Sequence, residues 1–130
     1  MLAVRNLRVL LVEDDPELAR TVERSLAHYG HRTVIAGPEG RMFVNLTGNA
    51  GMATGGSGDL LTGMIGAWFA QLLDAEAACK LAVYLHGTAG DLAEADEGDI
   101  ALLPSDIADR LGDAVLELTA RRRVKRQSES

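Results

Sequence analysis

The spacing of hydrophobic positions changes several times along the chain, and each change marks an element. Leu7–Val12 is aliphatic apart from Arg8, the pattern of a strand buried on both faces of an α/β sheet. Asp15 and Pro16 then make a helix start. The first can cap, and the second sits at the first helical position, where its missing N–H is not needed. Leu18, Val22 and Leu26 keep helical spacing up to Gly30, which suits a helix C-terminus. Two short apolar runs, Arg32–Ala36 and Met42–Leu46, flank the turn Gly37-Pro38-Glu39-Gly40 and predict an antiparallel hairpin.

The second half reads as helical. Leu60–Leu73 is apolar on almost every side and predicts a buried helix. Asp74–Glu94 is rich in alanine and predicts a helix that neighbours approach closely. Ala95–Pro104 reads as a loop, and Ser105 as the cap of a last helix running to about Arg122. The expected fold class is α/β, a small three-layer-type sandwich. Its short mixed sheet pairs Leu7–Val12 in parallel with Arg32–Ala36 through a right-handed crossover, adds the hairpin strand, and is covered by helices. A length of 130 residues suits a single domain, divided into segments 1–31 and 32–120 and a basic, polar tail over 121–130.

Composition narrows the partners. The net charge of -6 argues against nucleic acid. Arg121, Arg122, Arg123, Lys125 and Arg126 run against that charge and read as a solvated helix end. The one cysteine, Cys79, cannot form an internal disulfide and reads as an inert thiol in a cytoplasmic protein. No apolar run is long enough for a membrane span, and no signal-peptide pattern follows Met1. His28 and His31 lack metal-ligand spacing. The exposed-edge character expected of Leu7–Val12, together with the apolar breadth of Leu60–Leu73, predicts a homo-oligomer.

The chemistry concentrates between Thr47 and Asp59. Five of these residues are glycine, and the segment lies between a strand and a helix. Backbone N–H groups can converge there, and the positive end of the helix dipole points into the loop. The candidate anion-binding residues are Asn49, Gly51, Thr54, Gly55, Gly56, Ser57 and Gly58. Asp59, a carboxylate at the helix N-terminus, is the candidate proton acceptor. Ser57 has no triad around it and reads as a loop residue. His86 reads as a packed helical histidine, and Trp68 and Phe69 as core.

Two resemblances add to this. Residues 7–31, with Glu13-Asp14-Asp15-Pro16 after the strand, resemble the opening of a response-regulator receiver domain, which is flavodoxin-like. That resemblance implies a remnant Mg²⁺ role for Glu13 and Asp14. The receiver's phosphoacceptor aspartate, switch hydroxyl and lysine have no counterpart, so no phosphotransfer follows. Residues 32–110, through the hairpin, the run from Thr47 to Ile65 and Tyr84-Leu85-His86-Gly87, resemble the C-terminal part of ADP-dependent NAD(P)H-hydrate dehydratase, a ribokinase-like enzyme. This implies that the glycine loop holds the phosphates of ADP or ATP and that Asp59 lies at the substrate site. The family's Lys-Gly before the hairpin, whose lysine contacts nucleotide, is missing, as is the part that supplies most of the sheet. Taken together, the resemblances imply an engineered or recombined chimera, in effect a de novo protein, without catalytic function but with an anion site. The alternative is a nucleotide-dependent dehydratase (lyase) fragment, active when oligomerisation completes its cleft.

Overall fold

The computed structural model describes residues 34–36 and 42–129. The strand Leu7–Val12, the crossover helix, the parallel pairing, His28, His31 and the metal candidates Glu13 and Asp14 lie outside the described residues. Strands β1 (Val34–Ala36) and β2 (Met42–Val44) pair antiparallel, with Val34 opposite Val44, Ile35 opposite Phe43 and Ala36 opposite Met42. The predicted hairpin is therefore present; β2 ends two residues earlier than expected, and Arg32 and Thr33 lie outside the described residues. A mixed sheet is not: among the described residues the sheet has two strands, and the rest is mostly helix.

After a single 3₁₀ turn (Ala50–Met52) come α1 (Ser57–Leu72), α2 (Ala75–Glu97), α3 (Pro104–Asp109) and α4 (Leu111–Ser128). Helix α2 is the centre. Its start is capped by Asp74, whose carboxylate accepts from the Ala77 N–H at 3.0 Å. Its residues Ala78, Ala82, Leu85, Ala89 and Ala93 recur every three or four positions and are all buried. A stripe of alanines keeps the helix surface low, so α1, α3 and α4 pack against it. Met64, Leu102, Ile107 and Ala114 complete the core. The hairpin is held to the same helix by the Lys80 ammonium, 3.2 Å from the centroid of the Phe43 ring.

Several boundaries differ from expectation for local reasons. Helix α2 continues to Glu97, and Gly98 stops it at φ +78, in the left-handed region that glycine tolerates. The following helix starts one residue before Ser105. Pro104 takes the first position, and the Asp106 carboxylate reaches back to the Leu103 N–H at 2.8 Å. The single last helix divides at Arg110, which pairs with Asp96 at the end of α2. Helix α4 runs to Ser128, so the basic segment is the solvated end of a helix, and Arg121 pairs with Glu117 one turn earlier.

Helix α1 departs most from its reading. Trp68 packs beside the core, but Phe69 and Leu72 are half exposed and Leu73 is 80% exposed. Among the described residues, α2 and α3 cover one face of α1 and leave the other open. An all-round apolar helix signals burial on all sides, and only one side is met here.

The close approach to α2 depends on Gly87. A Cβ there would fall 2.2 Å from Thr47 Oγ1 and within 2.8 Å of the Thr47 backbone, so the loop would have to lift away. At Gly63 a Cβ would meet nothing within 4 Å. We therefore expect Gly87→Ala to cost about 1–3 kcal/mol of stability. Gly63→Ala should be neutral or stabilise by up to about 1 kcal/mol. Urea unfolding of the two variants checks both signs.

Candidate anion site at the start of helix α1

The loop between β2 and α1 is fastened to α2 at both ends. At its start the Thr47 hydroxyl donates to the Tyr84 carbonyl at 3.1 Å. The Asn45 side-chain amide donates to the Thr47 carbonyl at 3.0 Å. The Gly48 N–H donates to Asp91 Oδ2 at 2.9 Å, and the Asn49 amide to Asp91 Oδ1 at 3.1 Å. One carboxylate thus accepts from two successive residues of the loop. Gly48 is at φ +101, a conformation that suits glycine and lets its N–H turn towards α2. Further along, Gly51 lies so close to the chain at Asp99 that a Cβ would sit 2.7 Å from its carbonyl oxygen.

At the far end Gly56, at φ +91, turns the chain into α1, and its carbonyl accepts the Leu60 N–H at 3.0 Å. Ser57, the first helical residue, is buried, with Oγ 3.4 Å from His86 Nε2. His86 is buried too. Burial pushes its pKa below the ordinary histidine value, and a backbone contact at Ser57 pushes weakly the other way. The ring is therefore neutral near pH 7 and seats the helix start. The expectation of a packed helical histidine holds, with Ser57 as its neighbour. Cys79 is half-buried, and burial pushes its thiol up, away from the reactive thiolate.

The two halves of the loop have different characters. The first has its donors engaged, although Gly48 and Ala50 are exposed. The Asn49 amide is engaged by Asp91, and its Oδ1 is buried without a hydrogen-bond partner, an acceptor suited to a hydroxyl or amino group rather than to phosphate. The second half is open. Gly55, Gly56, Gly58 and Asp59 are exposed, and a Cβ at Gly55 or Gly58 would meet nothing within 4 Å. Asp59 stands in the first turn of α1, beside the positive end of its dipole. The structure thus brings Gly55, Gly56, Gly58 and Asp59 to one open surface, places Ser57 beneath it, and sets Asn49 and Gly51 against neighbouring backbone and side chains. Among the described residues no group of three histidine, cysteine or acidic side chains converges in a way that could hold a metal ion. None of the described helices is long and apolar enough to cross a membrane.

Sequence reading overlooked Asp91 and Gly90, and took Gly87 only as part of the family-like run Tyr84–Gly87, without its packing role. The available signal was small residues at Gly87 and Gly90, three apart on a helix and followed at once by an acid. A Cβ at Gly90 would lie 2.2 Å from Met52 Sδ, so this position too lets the loop lie on α2.

A hairpin, a glycine loop entering a helix, and a central alanine-rich helix form a mostly helical part of a ribokinase-like dehydratase fold. The solved ADP/ATP-dependent NAD(P)H-hydrate dehydratase of Bacillus subtilis, co-crystallised with ATP and Mg²⁺, superposes with a TM-score of 0.61 at 31% identity. The likeness covers 76% of this chain and 38% of that one. A sequence model of the NAD(P)H-hydrate dehydratase family matches residues 12–112, and the chain belongs to that family. The bifunctional NAD(P)H-hydrate repair enzyme Nnr of Moorella thermoacetica is 47% identical over 93 residues, 72% of this chain and 18% of that enzyme. The ADP-dependent (S)-NAD(P)H-hydrate dehydratase of Neisseria meningitidis is 48% identical over 81 residues, 61% of this chain and 27% of the relative. The corresponding Bacillus subtilis enzyme is 36% identical over 108 residues, 83% of this chain and 39% of the relative. The chain thus spans between 18% and 39% of the length of these relatives. The family match begins at residue 12 and takes in most of the segment that resembled a receiver domain. Nothing in these likenesses supports a receiver segment or a chimera.

The buried His86 makes stability depend on pH. An unfolded histidine takes up a proton below about pH 6.5, whereas the folded ring, with its lowered pKa, resists it. The unfolded state then binds more protons, so stability falls as pH drops through this window and is retained above it. Urea unfolding at pH 7.5 and 5.5 should show a smaller acid-induced loss for His86→Gln than for the native chain.

Proposed function

We propose that this chain is part of an ADP/ATP-dependent NAD(P)H-hydrate dehydratase, a lyase that returns hydrated NADH or NADPH to the ordinary coenzyme. The family match supports the reaction class, and the open half of the glycine loop supports the site. Gly55 and Gly58 leave room for a phosphate against the start of α1, Gly56 turns the chain into the helix, and Asp59 stands beside it. The nucleotide is a substrate in this reading. Mg²⁺, an ion that usually keeps several waters and is held by substrate phosphates together with one or two carboxylates, would arrive with the nucleotide's phosphates.

The chemistry follows from what dehydration needs. Hydroxide is a poor leaving group. Transfer of the terminal phosphoryl group to the substrate hydroxyl forms a phosphate ester and breaks the P–O bond to the nucleotide, which departs one phosphate shorter. The ester then leaves as phosphate, and loss of a proton from the neighbouring ring carbon re-forms the double bond. Asp59 takes the hydroxyl proton as the oxygen attacks phosphorus, and the α1 N-terminus offsets the charge on the phosphoryl oxygens. Burial of Ser57 against His86 holds the first turn in place, so this charge compensation needs no rearrangement at the moment of reaction.

Isothermal titration with ADP and with ATP and Mg²⁺ should give saturable binding, and the amide shifts of Gly55–Gly58 should move first. Asp59→Asn should leave ADP affinity within about threefold and lower conversion of hydrated NADH by roughly 10²–10⁴-fold, the usual range for a lost proton acceptor. The absence of binding to either nucleotide at millimolar concentration would count against the reading.

The open face of α1 fits a cleft completed by further protein, and self-association is the form of completion the chain itself offers. Phe69, Leu72 and Leu73 form an exposed apolar run at the end of α1. Light scattering across a dilution series should give a mass above that of the monomer, and Phe69→Glu should lower it. A monomer mass at every concentration would defeat the homo-oligomer. The strand edge at Leu10, the other contact expected from sequence, lies outside the described residues.

A further inference from the structure

We infer that Asp91 is a built-in anion that fills the first half of the glycine loop and so directs phosphate to the second. It is a positioning and specificity-determining residue of the site proposed above, and the inference rests on that reading for the identity of the ligand. Its carboxylate does in the loop what a phosphate oxygen would do. Oδ2 accepts the Gly48 backbone N–H at 2.9 Å, and Oδ1 accepts the Asn49 amide at 3.1 Å. Both donors lie in the stretch where glycine density alone would place an anion, and both are already taken by a side chain of the same chain. The carboxylate is held where it is by α2, whose small residues Gly87 and Gly90 let Thr47 and Met52 rest on the helix at either side of the clamped pair. The half of the loop with space around it is the other one, at Gly55 and Gly58.

Two consequences separate this role from plain structural support. First, inorganic phosphate titrated into the native chain should move the amide signals of Gly55–Gly58 and leave that of Gly48 still. Second, Asp91→Ala should create a new phosphate response at Gly48, because its N–H loses the internal acceptor. ADP should then bind roughly ten- to a hundredfold more weakly at the original half, the loss expected when a charge-assisted clamp is removed from a loop. Added formate should restore both the silence of Gly48 and the ADP affinity by occupying the vacated carboxylate position. Asp91→Asn, which keeps the shape of the side chain and one acceptor oxygen, provides the same test should the alanine variant unfold. Its Gly48 or Asn49 amide signals should respond to phosphate. Silence of these signals under phosphate in a folded variant overturns the inference, as does a native Gly48 signal that moves with phosphate. If the native chain binds no nucleotide, the proposed function fails, yet the Gly48 response to inorganic phosphate still decides the role of Asp91.

Discussion

How closely a stretch of backbone can lie on helix α2 governs everything else in the described structure. The alanines on one side of that helix let three helices pack against it, and the glycines on another let the β2–α1 loop settle on it. Gly87 accepts Thr47 and Gly90 accepts Met52 at distances that no side chain would allow. Hydrogen bonds then lock what the glycines permit. Tyr84 offers a carbonyl, His86 a ring nitrogen and Asp91 a carboxylate, all within two turns of the same helix. A loop rich in glycine loses more conformational entropy on ordering than any other kind of chain. Fastening it at both ends to a buried helix moves that loss into folding, so that it need not be met when a ligand binds.

Part of this was legible in the sequence. The hairpin is a local object, two short apolar runs around a Gly-Pro turn, and its strands pair antiparallel as predicted. The helix core of the second half is also local, since periodicity and caps such as Asp74 act within a few residues. The boundary errors have the same local origin. Asp106, reaching back to the Leu103 N–H, and Gly98, at positive φ, moved the ends of helices by a few residues. Ser105 looked like a cap only because Pro104 and Asp106 were not weighed together.

The site was less legible, because its logic is long-range. Asp91 is 42 or 43 residues from the donors it holds, and no window of the sequence joins them. Glycine density suggested one continuous anion site from Asn49 to Gly58, whereas the fold divides that stretch into a half whose donors are engaged and an open one. The all-round apolarity of α1 led to an expectation of burial that the described residues meet on one face only. Spacing within a helix does not say what covers it, and Phe69 and Leu73 stay exposed among the described residues. The receiver-like reading of residues 7–31 rested on a short strand followed by acids and a proline. Many α/β folds share that pattern, because it is simply how a buried strand gives way to a capped helix.

Charge explains how such a site can work in an acidic chain. From Thr47 to Asp59 there is no lysine or arginine, and the chain as a whole carries -6. Long-range attraction therefore does not bring a phosphate to this loop, and what this segment offers is short-range: backbone N–H groups and the end of a helix dipole. Donors of this kind are directional and discriminate by shape, but each adds only about 0.3–1 kcal/mol when exposed to solvent. A loop of this type gains by having its geometry settled in advance and by keeping its few open donors for the ligand alone. Both effects come from α2, where neutral His86 seats one end of the loop without adding charge and Asp91 closes the other. On the proposed reading, the remaining compensation for a nucleotide's charge would come from cations outside the glycine loop, which would make this segment the template of the phosphate position more than the main source of affinity.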